Sequence, residues 1–178
     1  MKRIGYIYEN IYSLDNLKEA HRNAKKDKSY YKEVKMVDSD EDYYLGLIQN
    51  MLKNKTYEVS KYTHTKIIDK GKERVLSKLP YFPDRIIQWA ILLQIGDVFT
   101  NIFISQTCAS LKNRGIHKAS KYVDTYLSDK ENTQYCLKID VHHFYASINH
   151  EILKQLLLKK FKDKDLLELL FLIIDSTD

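Results

Sequence analysis

Residues 135–153 read YCLKIDVHHFYASINHEIL, and the fold turns on them. Tyr135, Leu137 and Ile139 alternate with Cys136, Lys138 and Asp140, which is the period of a strand with one buried face. The apolar set is expected to pack against helices, with Phe144 in the core beside them. Asp140 is expected on the other face, at the strand's C-terminal end. His142 and His143 follow. Neighbours on an extended chain point to opposite sides, so the pair makes no ready zinc site. The stretch ends in the first of two Leu-rich helices.

Working outward, the remaining chain is mostly helical. A helix near Ser13 or Asp15 carries Leu14, Leu17, Ala20 and Ala24 on one side, and either residue can cap it. KKDKSYYKE is polar and breaks that pattern. SDEDYYLGLIQNML starts a second helix, with Ser39 as cap and acids at its positive end. YEVSKYTHTKIIDKGKERVLSKLPYF, rich in β-branched and aromatic residues around DKGK, reads as a hairpin ended by Pro80 and Pro83. Asp84 is expected to cap the apolar helix DRIIQWAILLQIGDVFTNIF. After a loop comes IHKASKYVDTYL, with Ile116, Ala119, Val123 and Tyr126 or Leu127 turned inward. The class is therefore α+β.

Bulk numbers narrow the function. The 178 residues suit one domain or slightly more, and 44% hydrophobic residues suffice for a core. Twenty-nine Lys and Arg against 24 Asp and Glu leave a net charge of +5, which favours a polyanionic partner without requiring one. Fourteen tyrosines offer faces for base stacking, although half-buried surface tyrosine explains most of them equally well. Cys108 and Cys136 form no CxxC, so neither a disulfide framework nor a zinc knuckle is indicated. No run of residues suits a signal peptide or a membrane span, so a cytoplasmic protein with no membrane partner is expected.

A carboxylate at a strand end is a hard ligand suited to magnesium. LKIDVHHFYASINHEIL resembles the first catalytic motif of reverse transcriptases: an apolar strand, Asp, three residues, an aromatic pair, then Ser-Ile and a helix. DKGKERVLSKLPYFPDRIIQWAI is similar to their fingers segment, and SQTCASLKNRGIHKASKYV to the loop and helix that follow. SLDNLKEAHRNAKK and NKTYEVSKYTHTKI sit where bacterial members have their N-terminal helices and the entry to the fingers hairpin. The likeness is nearest to the group II intron, retroelement and phage-defence types.

What the resemblance implies is specific. Residues 1–133 would be fingers, with N-terminal helices, a hairpin over about 57–80 and helices over about 84–127. Residues 134–178 would begin the palm of a right-hand polymerase. Asp140 would be the first metal-binding and catalytic aspartate, with the Val141 carbonyl as an extra magnesium ligand. Tyr145 would lie under the incoming sugar and exclude a 2′-hydroxyl. Arg74, then Lys72, would grip the triphosphate, as a guanidinium suits phosphate geometry. Lys70, Arg85, Lys112, Arg114 and His117 would touch nucleic acid. The partners would be an RNA template, a DNA or RNA primer and deoxynucleoside triphosphates, and the cofactor Mg2+.

Departures qualify the match. Leu111 stands where many relatives carry Arg. The family's Gly-rich motif and its aromatic-X-Asp-Asp hairpin would follow residue 178, so the chain is expected to be a fragment, inactive alone. The alternative is a non-catalytic RNA-binding module of the same fold. A weaker third reading is a structural helical domain with a basic surface.

Overall fold

The computed structural model describes residues 3–69 and 71–177. In chain order these form α1 (Tyr8–Ile11), α2 (Leu14–Ala24), α3 (Lys32–Ser39), α4 (Glu41–Lys53), β1 (Thr63–Asp69), β2 (Lys72–Lys78), α5 (Ile86–Thr100), α6 (Ile116–Leu127), α7 (His150–Lys160) and α8 (Lys164–Asp175). Among the described residues the one sheet is the antiparallel β1–β2 pair. The α+β class therefore holds.

Contacts divide the chain into two compact units. One comprises residues 1–95 and 149–178, the other residues 96–148. Residues 149–178 group with the N-terminal helices, to which contacts of Ile4, Ile7, Tyr8 and Lys55 join them.

The first unit is built on amphipathic helices. Leu17, Ala20 and Ala24 of α2 are buried at helical spacing, as are Leu45, Ile48 and Leu52 of α4. Leu14, expected with them, is exposed. The KKDKSYYKE break is shorter than expected, because α3 begins at Lys32 and buries Val34 and Val37. The α4 cap is Asp40 rather than Ser39: its carboxylate accepts from the Tyr43 N–H at 3.2 Å, while the Ser39 hydroxyl donates to the Met36 carbonyl. One residue thus ends α3 and starts α4.

The ends of this unit are joined by polar groups. The Ile4 N–H donates to the Lys160 carbonyl at 2.9 Å, and the Lys162 N–H to the Ile4 carbonyl at 2.7 Å. Asp163 caps α8 through the Leu166 N–H at 3.2 Å. Its second oxygen accepts from the Ile7 and Tyr8 N–H groups, at 2.6 and 3.0 Å. Lys55 adds ion pairs to Asp165 and Glu168 of α8. Partial burial alone would raise the Asp163 carboxyl, but these backbone donors outweigh it and hold the group below its usual range.

The second unit has no such interior. Among residues 96–148 none is buried. The α6 side chains expected inward, Ile116, Val123, Tyr126 and Leu127, are all exposed, and Ala119 is only half-buried, because no helix or sheet layer in this unit covers them. The strand expected at 135–140 does not form either. Tyr135, Leu137 and Ile139 are 94%, 84% and 77% exposed, and Phe144 is exposed too. A strand exists only by hydrogen bonding to a neighbour, and no described residue supplies one. No described helix is long and apolar enough to cross a membrane.

Asp163→Ala is expected to cost about 2 kcal/mol in urea unfolding at pH 7, since two helix starts lose their acceptor. A carboxyl lowered in the folded state contributes stability above its unfolded value of about 3.9, lost as pH falls through the folded value. The difference between wild type and variant should therefore shrink below about pH 3.9; a pH-independent difference would refute the capping role.

Candidate nucleic-acid interface

The hairpin follows from its residues. β-branched side chains favour β1, and Gly71 supplies the positive φ, +77°, that the turn requires. The register pairs Thr63 with Lys78, Ile67 with Arg74 and Asp69 with Lys72. Directly paired residues share a face, so Lys72, Arg74, Leu76 and Lys78 stand together with Thr63, Thr65, Ile67 and Asp69. Three cations and one acid occupy this face. Arg74 Nε meets Asp69 Oδ2 at 3.1 Å, and the half-exposed guanidinium carries further N–H donors. On the opposite face Lys66 is neutralised by Glu73 at 2.8 Å. Both strands are mostly exposed.

The hairpin's two legs are tied below it. The Tyr57 hydroxyl donates to Asp84 Oδ1 at 2.7 Å, and the Ser60 N–H donates to the same oxygen at 3.1 Å. Asp84 is fully buried, and its Oδ2 has no partner among the described residues. It therefore does not cap α5, as expected from sequence; it lies in the wide turn Tyr81–Arg85 and holds the entering leg. Burial, then the hydrogen bond to Asp84 and that carboxylate's charge, push the Tyr57 hydroxyl far up, so it stays a donor.

Tyr81, on the exit leg, is held as well. Its N–H donates to Glu33 at 2.8 Å, and its hydroxyl meets Nδ1 of fully buried His21 at 2.8 Å. His21 Nε2 faces Asp38 at 2.8 Å, and Lys25 pairs with Asp38 at 2.7 Å. An ionised carboxylate only accepts, so His21 Nε2 donates to Asp38. His21, Asp38 and Glu41 place ligand atoms within 4.8 Å of one another. The Lys25 ammonium already fills the cation's role there, so the cluster acts as an ion-pair network binding α2 to α3.

The residues expected to act fall in both units. Lys72 and Arg74 share the cationic face of the hairpin, while Lys70 lies outside the described residues. Arg85 is exposed next to buried Asp84. Those three described residues belong to the first unit and the others to the second. Lys112 and His117 are exposed. Arg114 is half-buried and donates to the Ile104 carbonyl at 3.1 Å, bracing its own loop. Asp140, Val141 and Tyr145 are exposed and close in sequence, with Tyr145 opening a single 3₁₀ turn, Tyr145–Ser147. The His142 and His143 rings touch edge to face at 3.9 Å instead of parting to opposite sides, since His143 takes a left-handed φ of 48°.

Asp140 and the Val141 carbonyl are oxygen donors of the kind magnesium takes, but two donors fall short of its octahedral shell. No group of three potential ligands among the described residues includes Asp140. The residues present do not by themselves make a magnesium site. Sequence reasoning missed Lys78, whose place in the series 72, 74, 76, 78 was the available signal. It also missed the Asp84 clamp, since nothing local distinguishes a clamp from a cap.

No protein-family model matches the chain, and no curated protein is significantly similar to it.

Tyr57→Phe removes one of two donors to a buried carboxylate. A cost of about 2 kcal/mol is expected in denaturant unfolding. A loss below about 0.5 kcal/mol would show that the clamp does not hold the fold.

Proposed function

We propose that this chain supplies the fingers and the first palm carboxylate of an RNA-directed DNA polymerase of the bacterial type. The observation that carries the reading is the cationic face of the hairpin. Lys72 and Arg74, singled out by the resemblance, stand side by side on a projecting element whose base is tied to a core. Lys78 extends the row. Phosphates need cations at fixed spacing, and a guanidinium offers them paired donors. The stretch LKIDVHHFYASINHEIL supports the same reading through its pattern. Its Asp140 would be one of several oxygen ligands for magnesium, the ion that supplies charge neutralisation in nucleotidyl transfer. Tyr145, with an exposed ring, would stack under the sugar of an incoming nucleotide.

The alternative is a non-catalytic RNA-binding module. It is favoured because no group of three potential metal ligands among the described residues includes Asp140. Both readings use the same hairpin face, and nucleotide binding separates them.

Filter binding of single-stranded RNA by the full chain is expected at low salt and should weaken steeply as salt rises. Replacing Lys72, Arg74 and Lys78 together by Ala should reduce the slope of log K against log salt by about 2, at roughly 0.7 per phosphate contact. Lys66→Ala should change it little. Deoxynucleoside triphosphate binding lost in Arg74→Ala supports the polymerase reading; RNA binding without nucleotide binding supports the module. No RNA binding at low salt overturns both.

A further inference from the structure

Residues 135–141 present an unusual surface. Among the described residues no hydrogen bond is made by any backbone N–H or C=O of this run. Tyr135, Leu137, Ile139 and Val141 are all exposed. They alternate in sequence with Cys136, Lys138 and Asp140, so pairing this run as a strand would put the apolar groups on one face and the charges on the other. The unit that contains them buries no residue of its own. Free backbone donors and acceptors beside an apolar row are what an added strand satisfies.

We propose that the occupant is a second copy of the chain, with residues 135–141 of the two copies pairing antiparallel about a two-fold axis at Ile139. The charges select the occupant and the register. Centred on Ile139, Lys138 faces Asp140 of the twin, and Asp140 faces Lys138, so two opposite-charge pairs form at once. Leu137 then faces Val141, and Ile139 faces its own counterpart. Centring on Lys138 sets lysine against lysine, and centring on Asp140 sets aspartate against aspartate. Registers centred between residues put apolar side chains opposite polar ones. Only the Ile139 register satisfies both the apolar row and the charges.

The pairing does not rest on the polymerase reading. It assigns Asp140 a different partner, since a carboxylate facing Lys138 of the twin is withheld from a metal. RNA binding through the hairpin is measured separately, so either claim can fail while the other stands.

Sedimentation velocity of the full chain over roughly 1–100 μM tests it, the range expected for a small, weak interface. Wild type should shift from monomer to dimer with concentration. Lys138→Asp alone and Asp140→Lys alone should each weaken dimerisation about tenfold or more, because both cross-strand pairs become repulsive. An equimolar mixture of the two variants should form heterodimers, since every pair is then again opposite in sign. The double variant should dimerise like wild type. Circular dichroism of each variant should match wild type, as the altered side chains are exposed. A monomer at every concentration overturns the proposal. So does a dimer indifferent to the single changes, or a loss that neither mixing nor the double variant restores.

Discussion

One buried carboxylate organises the part of this protein with most to offer a ligand. Asp84 receives Tyr57 and Ser60 from the entry to the hairpin while sitting in the turn that leaves it. A buried ionisable group is costly unless bonded, so the donors must keep their places for the fold to persist. The strands above it bury almost nothing and have no stability of their own to draw on. Their direction is inherited from the turn, and through Tyr81, His21 and Glu33 from the helices below. A projecting, solvated element can thus hold its cations at fixed positions without a core between its strands.

Charge is distributed along the same lines. A net +5 is a modest excess, and composition alone does not say where it acts. Pairing decides this. Lys66, Lys55 and Lys25 are each met by carboxylates, whereas the face bearing Lys72, Arg74 and Lys78 opposes three cations with one acid. That face carries a local excess of positive charge on an element whose base is held, an arrangement that attracts a polyanion.

How much of this was legible in the sequence depended on the range of the interactions. Leu17, Ala20 and Ala24, or Leu45, Ile48 and Leu52, declare their helices because burial follows a local period. The hairpin declares itself through β-branched residues around a glycine. α3 was hidden, since a polar start at Lys32 masks a short helix that buries only two valines. Asp163 looked like one acid among several, because its partners at Ile7 and Tyr8 are some 155 residues away. The strand at 135–140 was misread for a related reason. Alternation records which face of a strand would be buried, but the strand itself needs a neighbour, and local pattern does not state whether one is present. Among the candidate site residues, Lys72 and Arg74 come from the resemblance, and the two-residue period of a strand puts them on one face. Arg114 was assigned outward, although its guanidinium turns back on its own loop.

The helical pair α7–α8 returns to the N-terminal helices after an excursion of residues 96–148. The first unit is therefore assembled from both ends of the chain and closed by the Ile4, Asp163 and Lys55 contacts, none of which involves the excursion. Lengthening, shortening or exchanging such an interposed segment alters mainly the entropy of closing a loop, which varies only slowly with its length. The host can therefore keep its architecture whatever the length of the guest, so the two parts of the chain answer to different physical constraints.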